Sequence, residues 1–226
     1  MLESFPVTGQ APLVLGSNSP RRRQLLALSG LPFLVKVANV DESQLPNESP
    51  ADYVLRLAET KARAIQAEPD QVILAADTTV VDGSDILGKP QDAAEAFAML
   101  TRLRGHEHQV YTGIALLRAG DGLLLTDLCI TEVPMRAYSD EEIRKYVASG
   151  DPLDKAGAYA IQHPEFHPVA RMDGCFANVM GLPVCHVILQ LRKMGIQPDT
   201  EFFAGCETVL DYRRCPVSHA ILNGEM

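Results

Sequence analysis

Residues 13–23 read LVLGSNSPRRR, and they predict a short buried strand, a tight turn and the first turn of a helix. Ser19 is a favourable N-cap, and Pro20 suits the first helical position because its missing N–H would have no partner there. Three arginines then occupy a turn in which the helix dipole disfavours positive charge. Backbone N–H groups and guanidinium groups would converge at this end, which favours a phosphate-binding site. The alternative is an exposed basic helix start.

Composition limits the possible partners of this chain. It has 226 residues and a net charge of −9, so non-specific binding to nucleic acid or to an anionic membrane is not expected. A polyanionic ligand would need a local cluster of cations or a metal ion. No apolar run is long enough to span a bilayer and the N-terminus lacks a signal peptide, so a cytoplasmic location is expected. Five cysteines, an odd count, argue against a disulfide framework.

Strand and helix patterns alternate along the chain, with two hairpins among the crossover helices. This order predicts an α/β fold with a mixed central β-sheet flanked by helices. Towards the end we expect a polar loop that runs into a strand at residues 159–162, a hairpin near Asp173 and Gly174, and a helix over residues 183–194. Periodicity then fades. Residues 1–195 are predicted to form one domain, and residues 196–226 a cysteine-containing tail.

A lysine interrupts the apolar face of the second predicted helix, which opens at Ser49. At about 100° per residue, Lys61 falls in the middle of that face. The apolar positions are Tyr53, Val54, Leu57, Ala58, Ala62, Ala64 and Ile65. Such a lysine must extend to solvent, pair with an acid or line a polar cavity, and we favour the cavity.

An aspartate lies inside the apolar run of residues 72–81, which is typical of a strand buried on both faces. The carboxylate of Asp77 is costly there unless cations, hydrogen bonds or a metal compensate for its burial. A purely structural pair with a buried Arg or Lys is the alternative. Other charged residues also fall at the ends of elements: Arg21, Asp41, Glu42, Lys89, Asp154 and Lys155. Together they offer cations for phosphate oxygens, and carboxylates for a divalent ion and an activated water.

The order of these segments resembles the Maf family of nucleoside triphosphate pyrophosphatases. The matching pieces are residues 17–22 (SNSPRR), 41–42 (DE), 58–62 (AETKA), 76–78 (ADT), 88–90 (GKP), 108–113 (HQVYTG), 154–162 (DKAGAYAIQ) and 181–183 (GLP). Each piece alone is weak, but their order over residues 13–194 is specific. The resemblance implies a fold of the Maf and inosine triphosphatase type and a possible homodimer.

The resemblance also implies an activity: hydrolysis of a nucleoside triphosphate to the monophosphate and pyrophosphate, with Mg²⁺ or Mn²⁺. It makes Asp77 the proton acceptor and associates Arg21, Thr78 and Gln162 with the choice of base. Asp77 followed by Thr78 is typical of the branch that acts on dTTP and UTP, whereas an Asp-Gln pair marks the branch that acts on 7-methyl-GTP.

These inferences assign roles to individual residues as hypotheses. Asp77, Lys61 and Lys89 are expected to be catalytic, and Asp41, Glu42 and Asp77 to bind the metal. The expected substrate-binding residues are Ser17, Arg21, Thr78, Lys155 and Gln162. Lys155 would neutralise the departing pyrophosphate. The surrounding lysines would keep Asp77 ionised.

Two departures from the family pattern leave alternatives open. Residues 163–168 (HPEFHP) replace the usual glycine after Gln162, and residues 174–176 read GCF instead of Gly-Ser-Tyr, so another base such as 7-methylguanine is an alternative. A nucleotide-responsive regulator of cell division is a third hypothesis. The residues Cys175, Cys185, Cys206, Cys215, His186 and His219 could bind zinc or an iron–sulfur cluster, although they lack a Cys-x-x-Cys pair. His163 and His167 are expected to be loop residues.

Overall fold

A computed structural model of the protein describes residues 13–169, 171–172, 174–198 and 218–222. Their strands form one six-stranded mixed sheet in the order β2-β1-β3-β5-β6, with β4 paired to the end of β3. The strands are β1 (Leu13–Leu15), β2 (Phe33–Val35), β3 (Val72–Asp82), β4 (Asp85–Leu87), β5 (Glu107–Arg118) and β6 (Leu124–Pro134). The first three run parallel, and β4, β5 and β6 join by antiparallel pairing. The predicted α/β fold with a mixed sheet is therefore confirmed.

Helices connect the strands and cover the sheet. They are α1 (Pro20–Ala27), α2 (Pro50–Arg63), α3 (Ala93–Leu103), α4 (Asp140–Ala148), α5 (Phe176–Val179), α6 (Val184–Lys193) and α7 (Ser218–Leu222). Ser19 caps α1, since its side chain accepts a hydrogen bond from the backbone N–H of Arg22, and Pro20 opens the helix as predicted. None of the described helices is long and apolar enough to cross a membrane.

Helix α2 packs closely on the sheet, and this contact positions the site. Its residues Val54, Leu57, Ala58 and Ala62 are fully buried, in agreement with the apolar face predicted from the sequence. A Cβ at Gly113 of β5 would lie 2.6 Å from the backbone carbonyl group of Val54. Only glycine therefore allows α2 to approach β5 so closely. Close packing brings the C-terminal half of α2 over β3.

The prediction of a strand at residues 159–162 is wrong. Two short 3₁₀ helices, Asp151–Asp154 and Ala156–Ala158, precede a turn in this region. Gly157 and Ala158 both have left-handed backbone conformations, with φ of 67° and 61°. A Cβ at Gly157 would lie 2.8 Å from a Val80 side-chain atom, so the chain crosses β3 at close range instead of pairing with it.

The predicted hairpin near Gly174 is also absent from the part of the chain that the structure describes, where α5 follows that glycine. Asp173 lies outside the described residues. The predicted helix over residues 183–194 is confirmed as α6, and α7 packs against it. The domain boundary at residue 195 stays a prediction.

Candidate active site

A cleft of about 430 Å³ opens at the carboxyl end of β1. Its walls come from the turn between β1 and α1, the first residues of α1, the middle of β3, the loop after β4, and residues 154–156, 159–162 and 179–181. Eight of the predicted functional residues line this cleft: Ser17, Arg21, Glu42, Lys61, Thr78, Lys89, Lys155 and Gln162. Segments far apart in sequence thus converge as the motif order suggests.

Lys61 lies between two carboxylates on the cleft floor. Its Nζ is 2.6 Å from Oδ1 of Asp77 on β3 and 2.6 Å from Oε1 of Glu42 in the loop before α2. The side chain of Asp77 is only 11% exposed and that of Lys61 13%, whereas that of Glu42 is 53% exposed. The lysine therefore both pairs with acids and lines the cavity, which combines two of the readings that the sequence allowed. Asp77 itself lies just beneath the cleft surface, next to Lys61.

The two carboxylates have opposite pKa shifts because their burial differs. Burial raises the pKa of Asp77 above its usual value, and the positive charges of Lys61 and Arg22 offset part of this effect. Partial burial opposes ionisation of Glu42 as well, but the hydrogen bond and the charge of Lys61 lower the pKa of Glu42. The pair therefore offers one carboxylate with increased basicity and one that is firmly ionised.

Arg22 holds three walls of the cleft together. Its Nε donates to the carbonyl oxygen of Gly181 at 2.8 Å, its Nη2 to Oγ1 of Thr78 at 3.0 Å, and its Nη1 to Oγ of Ser17 at 3.3 Å. Burial lowers the pKa of Arg22, although the Asp77 carboxylate acts in the opposite direction. This arginine was not among the predicted site residues. Its position in the arginine turn could have indicated a role, but its partners come from residues 56 and 159 positions away.

Arg21 and Lys89 differ from Arg22 in that their side chains have no hydrogen-bonding partner among the described residues. Both line the cleft, and neither side chain forms a hydrogen bond or an ion pair with any residue that the structure describes. Lys89 is close enough to Glu42 for its charge to lower the pKa of that carboxylate. These two cations give the cleft rim a positive charge that the described protein does not neutralise.

Lys155 also lines the cleft, but its charge is already compensated. Its Nζ donates to Oδ1 of Asp151 at 2.9 Å, to the Asp151 carbonyl oxygen at 2.6 Å and to Oδ1 of Asp154 at 2.6 Å. The lysine is 6% exposed, so these contacts satisfy a buried ammonium group. Its predicted contact with departing pyrophosphate would require replacement of these bonds.

Asp41 is not brought into the cleft, in contrast to the expectation from the sequence. Its Oδ1 accepts hydrogen bonds from the backbone N–H and the hydroxyl of Ser43, at 2.9 and 2.6 Å, and these bonds lower the pKa of Asp41. The residue stabilises the turn that carries Glu42 and does not line the cleft. Periodicity could not distinguish the two adjacent acids, because both lie in a loop.

The carboxylate pair fits a divalent cation that is bound together with a phosphorylated ligand. No group of three or more His, Cys, Asp or Glu side chains suited to a metal occurs among the described residues. Glu42 and Asp77 supply two carboxylates that approach the same ammonium nitrogen. Mg²⁺ commonly binds to one or two carboxylates and completes its shell with waters and phosphate oxygens. The donor set therefore fits Mg²⁺ or Mn²⁺ shared with a substrate.

The alternative metal centre receives no support from the described residues. Cys175 and Cys185 are buried, and Nδ1 of His186 lies 3.1 Å from Oδ2 of Asp127. Cys206, Cys215 and the side chain of His219 lie outside the described residues. His163 is a loop residue as expected, and its Nδ1 accepts a backbone hydrogen bond from Phe166 at 3.0 Å.

Fold and site together define a class of protein: a mixed α/β sheet with a cation-lined cleft in which a lysine forms ion pairs with two carboxylates. Comparison with known proteins gives the family. The model of the family described as Maf-like protein matches residues 12–194, so this chain belongs to that family.

Curated relatives match most of the chain. The dTTP/UTP pyrophosphatase of Hahella chejuensis is 47% identical over 193 residues, which cover 84% of this chain and 95% of the relative. Those of Geobacter sulfurreducens and Anaeromyxobacter dehalogenans are 46% and 48% identical over 185 residues, or 81% of this chain, and 96% and 94% of the relatives are covered. Among solved structures, the Staphylococcus aureus Ham1 protein has a TM-score of 0.43 and 12% identity over 95% of this chain and 99% of its own.

Proposed function

We propose that this protein hydrolyses nucleoside triphosphates to the nucleoside monophosphate and pyrophosphate, with dTTP and UTP as its preferred substrates. The observation that carries the proposal is the arrangement of charge in the cleft. Lys61 pairs with Glu42 and Asp77 on the floor, and Arg21 and Lys89, which have no partner among the described residues, lie at the rim. Relatives with 44–48% identity bear the name dTTP/UTP pyrophosphatase, and this supports the choice of base.

The rim residues bind the triphosphate in this proposal. Arg21 and Lys89 supply positive charge, and the N-terminus of α1 supplies backbone N–H groups and the positive end of the helix dipole. Ser17 helps to shape the turn before α1, since its Oγ accepts a hydrogen bond from the backbone N–H of Ser19 at 3.2 Å. Together these groups hold the phosphate chain with its α-phosphorus towards the carboxylates.

Asp77 accepts the proton of the attacking water. Burial raises the pKa of Asp77, which strengthens it as a base, and the Lys61 and Arg22 charges favour its ionised form. As the water oxygen bonds to the α-phosphorus, its proton passes to Asp77, the bond to the bridging oxygen breaks and pyrophosphate departs. Glu42 and Asp77 would hold Mg²⁺ or Mn²⁺, which neutralises phosphate charge when it is bound.

Part of the cleft lining suits a planar base. Val110, Ile161 and Met180 contribute apolar surface to the cleft, and the exposed amide of Gln162 offers both a donor and an acceptor. Uracil and thymine present an N–H donor beside carbonyl acceptors, so one amide can form complementary hydrogen bonds. Thr78 is tied to Arg22 and to Thr112, at 3.0 Å each, which fixes its hydroxyl beside the cleft.

A panel of nucleoside triphosphates tests this proposal. Purified protein is incubated with Mg²⁺ or Mn²⁺ and dTTP, UTP, CTP, GTP, ATP or 7-methyl-GTP, and release of pyrophosphate and monophosphate is measured. We expect kcat/KM to be highest for dTTP and UTP. A preference for 7-methyl-GTP would retain the reaction and change the base. Nucleotide binding without pyrophosphate release would contradict the proposed enzyme and favour a regulatory protein.

A further inference from the structure

The loop between β2 and α2 carries Glu42 but lacks the packing that would fix it. Residues 41–47 are all exposed, so burial in the core does not determine where the Glu42 backbone lies. A carboxylate that must meet Lys61 from such a loop would lose conformational entropy each time it binds. Hydrogen bonds from α2 provide the missing constraint.

Tyr53 holds the backbone of Glu42 itself. From the second turn of α2, its hydroxyl donates a hydrogen bond of 2.9 Å to the Glu42 carbonyl oxygen. Burial raises the pKa of Tyr53, and the negative charges of Asp77 and Glu42 raise it further. The phenol therefore remains a neutral donor beside both carboxylates of the site.

Arg56 holds the next peptide unit. Its Nη2 donates to the Ser43 carbonyl oxygen at 3.0 Å and to Oε2 of Glu48 at 2.8 Å, while its Nε donates to Oε1 of Glu48. Oε2 of Glu48 also accepts a hydrogen bond from the backbone N–H of Leu45 at 3.0 Å, which closes the loop on itself. The guanidinium carbon also lies 5.7 Å from the centre of the Tyr53 ring, so the two side chains support each other.

We infer that Tyr53 and Arg56 are positioning residues for Glu42: α2 fixes the Glu42 peptide through them and the Glu42 carboxylate through Lys61. This inference rests on the proposed function, in which Glu42 helps to bind the divalent cation. Helix α2 thus holds Glu42, the exposed member of the Glu42–Lys61–Asp77 cluster, in place before a ligand binds. The two residues do not touch the substrate; they act through Glu42.

A purely structural role for these residues makes a different prediction. If Tyr53 and Arg56 only stabilised the fold, their loss would lower the melting temperature and reduce every activity whether or not Glu42 could bind a metal. If they act through Glu42, their effect must disappear once the Glu42 carboxylate has been removed. A double-mutant cycle separates these cases.

The experiment measures Mn²⁺ affinity by isothermal titration calorimetry, in the presence of dUTP whose α–β bridging oxygen is replaced by an imido group. The variants are Tyr53→Phe, which keeps the ring, Arg56→Lys, which keeps the charge, Glu42→Gln, and each double variant. Tyr111→Phe is the matched control, because among the described residues its hydroxyl bonds only to Oε1 of Gln109, at 3.0 Å, and Tyr111 does not line the cleft.

We expect Tyr53→Phe to weaken Mn²⁺ binding about fivefold, the effect of losing one hydrogen bond. Arg56→Lys should weaken it about tenfold, because a lysine ammonium cannot reproduce the paired hydrogen bonds of the guanidinium group. In the Glu42→Gln background, both substitutions should change the affinity less than about twofold. The control should bind Mn²⁺ as the unsubstituted protein does, and kcat with dTTP should follow the same pattern.

The possible outcomes separate this inference from the proposed function. Additive losses in the double variants, an unaffected Tyr53→Phe variant, or unsubstituted protein that binds no Mn²⁺ with the analogue would each overturn the inference, even if hydrolysis of dTTP is observed. Coupled losses of Mn²⁺ affinity in a protein that releases no pyrophosphate would support the inference and overturn the proposed function.

Discussion

The floor and the rim of the cleft use positive charge in different ways. On the floor, Lys61 and Lys155 are nearly buried and each pairs with two carboxylates. At the rim, Arg21 and Lys89 have no anionic partner among the described residues. All four residues were predicted as site residues from the same type of signal, a cation at the end of an element or inside an apolar one.

The predicted cations therefore serve two purposes. A paired buried cation is electrically compensated, so it organises the carboxylates around it and adds little net field. An unpaired cation at a cleft rim keeps its field for the ligand and is screened by salt. In the proposed function, the floor therefore supplies the groups that react and the rim supplies the charge that binds the triphosphate.

The largest effect is expected when Asp77, the proposed proton acceptor on the cleft floor, is replaced. Asp77→Asn should lower kcat for dTTP about 10²- to 10⁴-fold, because Asn cannot accept the proton, while KM stays within about threefold. Asp127→Asn is the control, since Asp127 is a half-buried carboxylate that bonds to His186 and Gln190 away from the cleft. Steady-state kinetics at pH 7 check this. Near-normal turnover by the Asp77 variant would show that another group takes the proton.

Replacing one cation at the rim and one on the floor should have intermediate effects that distinguish the roles of the two regions. Lys89→Met should raise KM about tenfold, and the difference should shrink at high salt because the lost charge is exposed. Lys155→Met should instead lower the free energy of unfolding by about 2 kcal/mol, since Asp151 and Asp154 lose their shared cation. Kinetics against ionic strength and urea unfolding of both variants measure this. The reverse pattern would place the phosphate charge on Lys155.

The smallest effect concerns the part of the cleft wall that includes Tyr159. Nε2 of His108 lies 2.9 Å from the hydroxyl of Tyr159, a cleft-lining residue, and burial lowers the pKa of His108 to about 4. Between pH 6.5 and 4 the unfolded chain binds a proton that the folded protein does not, so the free energy of unfolding should fall as the pH decreases, by at most about 3 kcal/mol.

Urea titrations of wild type and His108→Gln across this pH range measure that contribution. Gln keeps a polar group next to Tyr159 but does not titrate, so the variant should lose this part of the pH dependence. Identical slopes for both proteins would indicate that His108 is protonated in the folded state or contributes nothing.

Much of the fold followed from local patterns. Ser19, Pro20 and the apolar run before them predicted the strand, turn and helix that form the cleft entrance, and the alternation of elements predicted the mixed sheet. The strand predicted at residues 159–162 was wrong because left-handed Gly157 and Ala158 turn the chain across Val80. Such a crossing depends on a distant strand and leaves no local pattern.

The sequence predicted which residues belong to the site, but not which of them form hydrogen bonds or ion pairs with one another. Lys61 and Asp77 were identified because each breaks an apolar pattern, and the resemblance to a family named their neighbours. Contacts between separate elements decide which acids pair with Lys61 and which arginine donates a hydrogen bond to Thr78. Asp41 and Glu42 are indistinguishable by periodicity because they are adjacent acids in a loop.

Local sequence patterns predict most of the order of strands and helices and the charged positions that interrupt apolar faces, because hydrophobic period and capping are properties of neighbouring residues. Which charges are compensated, and which remain available to a ligand, is known only once the elements are packed together. It depends on distances between side chains from separate elements, here the approach of α2 to β5 at Gly113 and the crossing of residues 157–158 over β3.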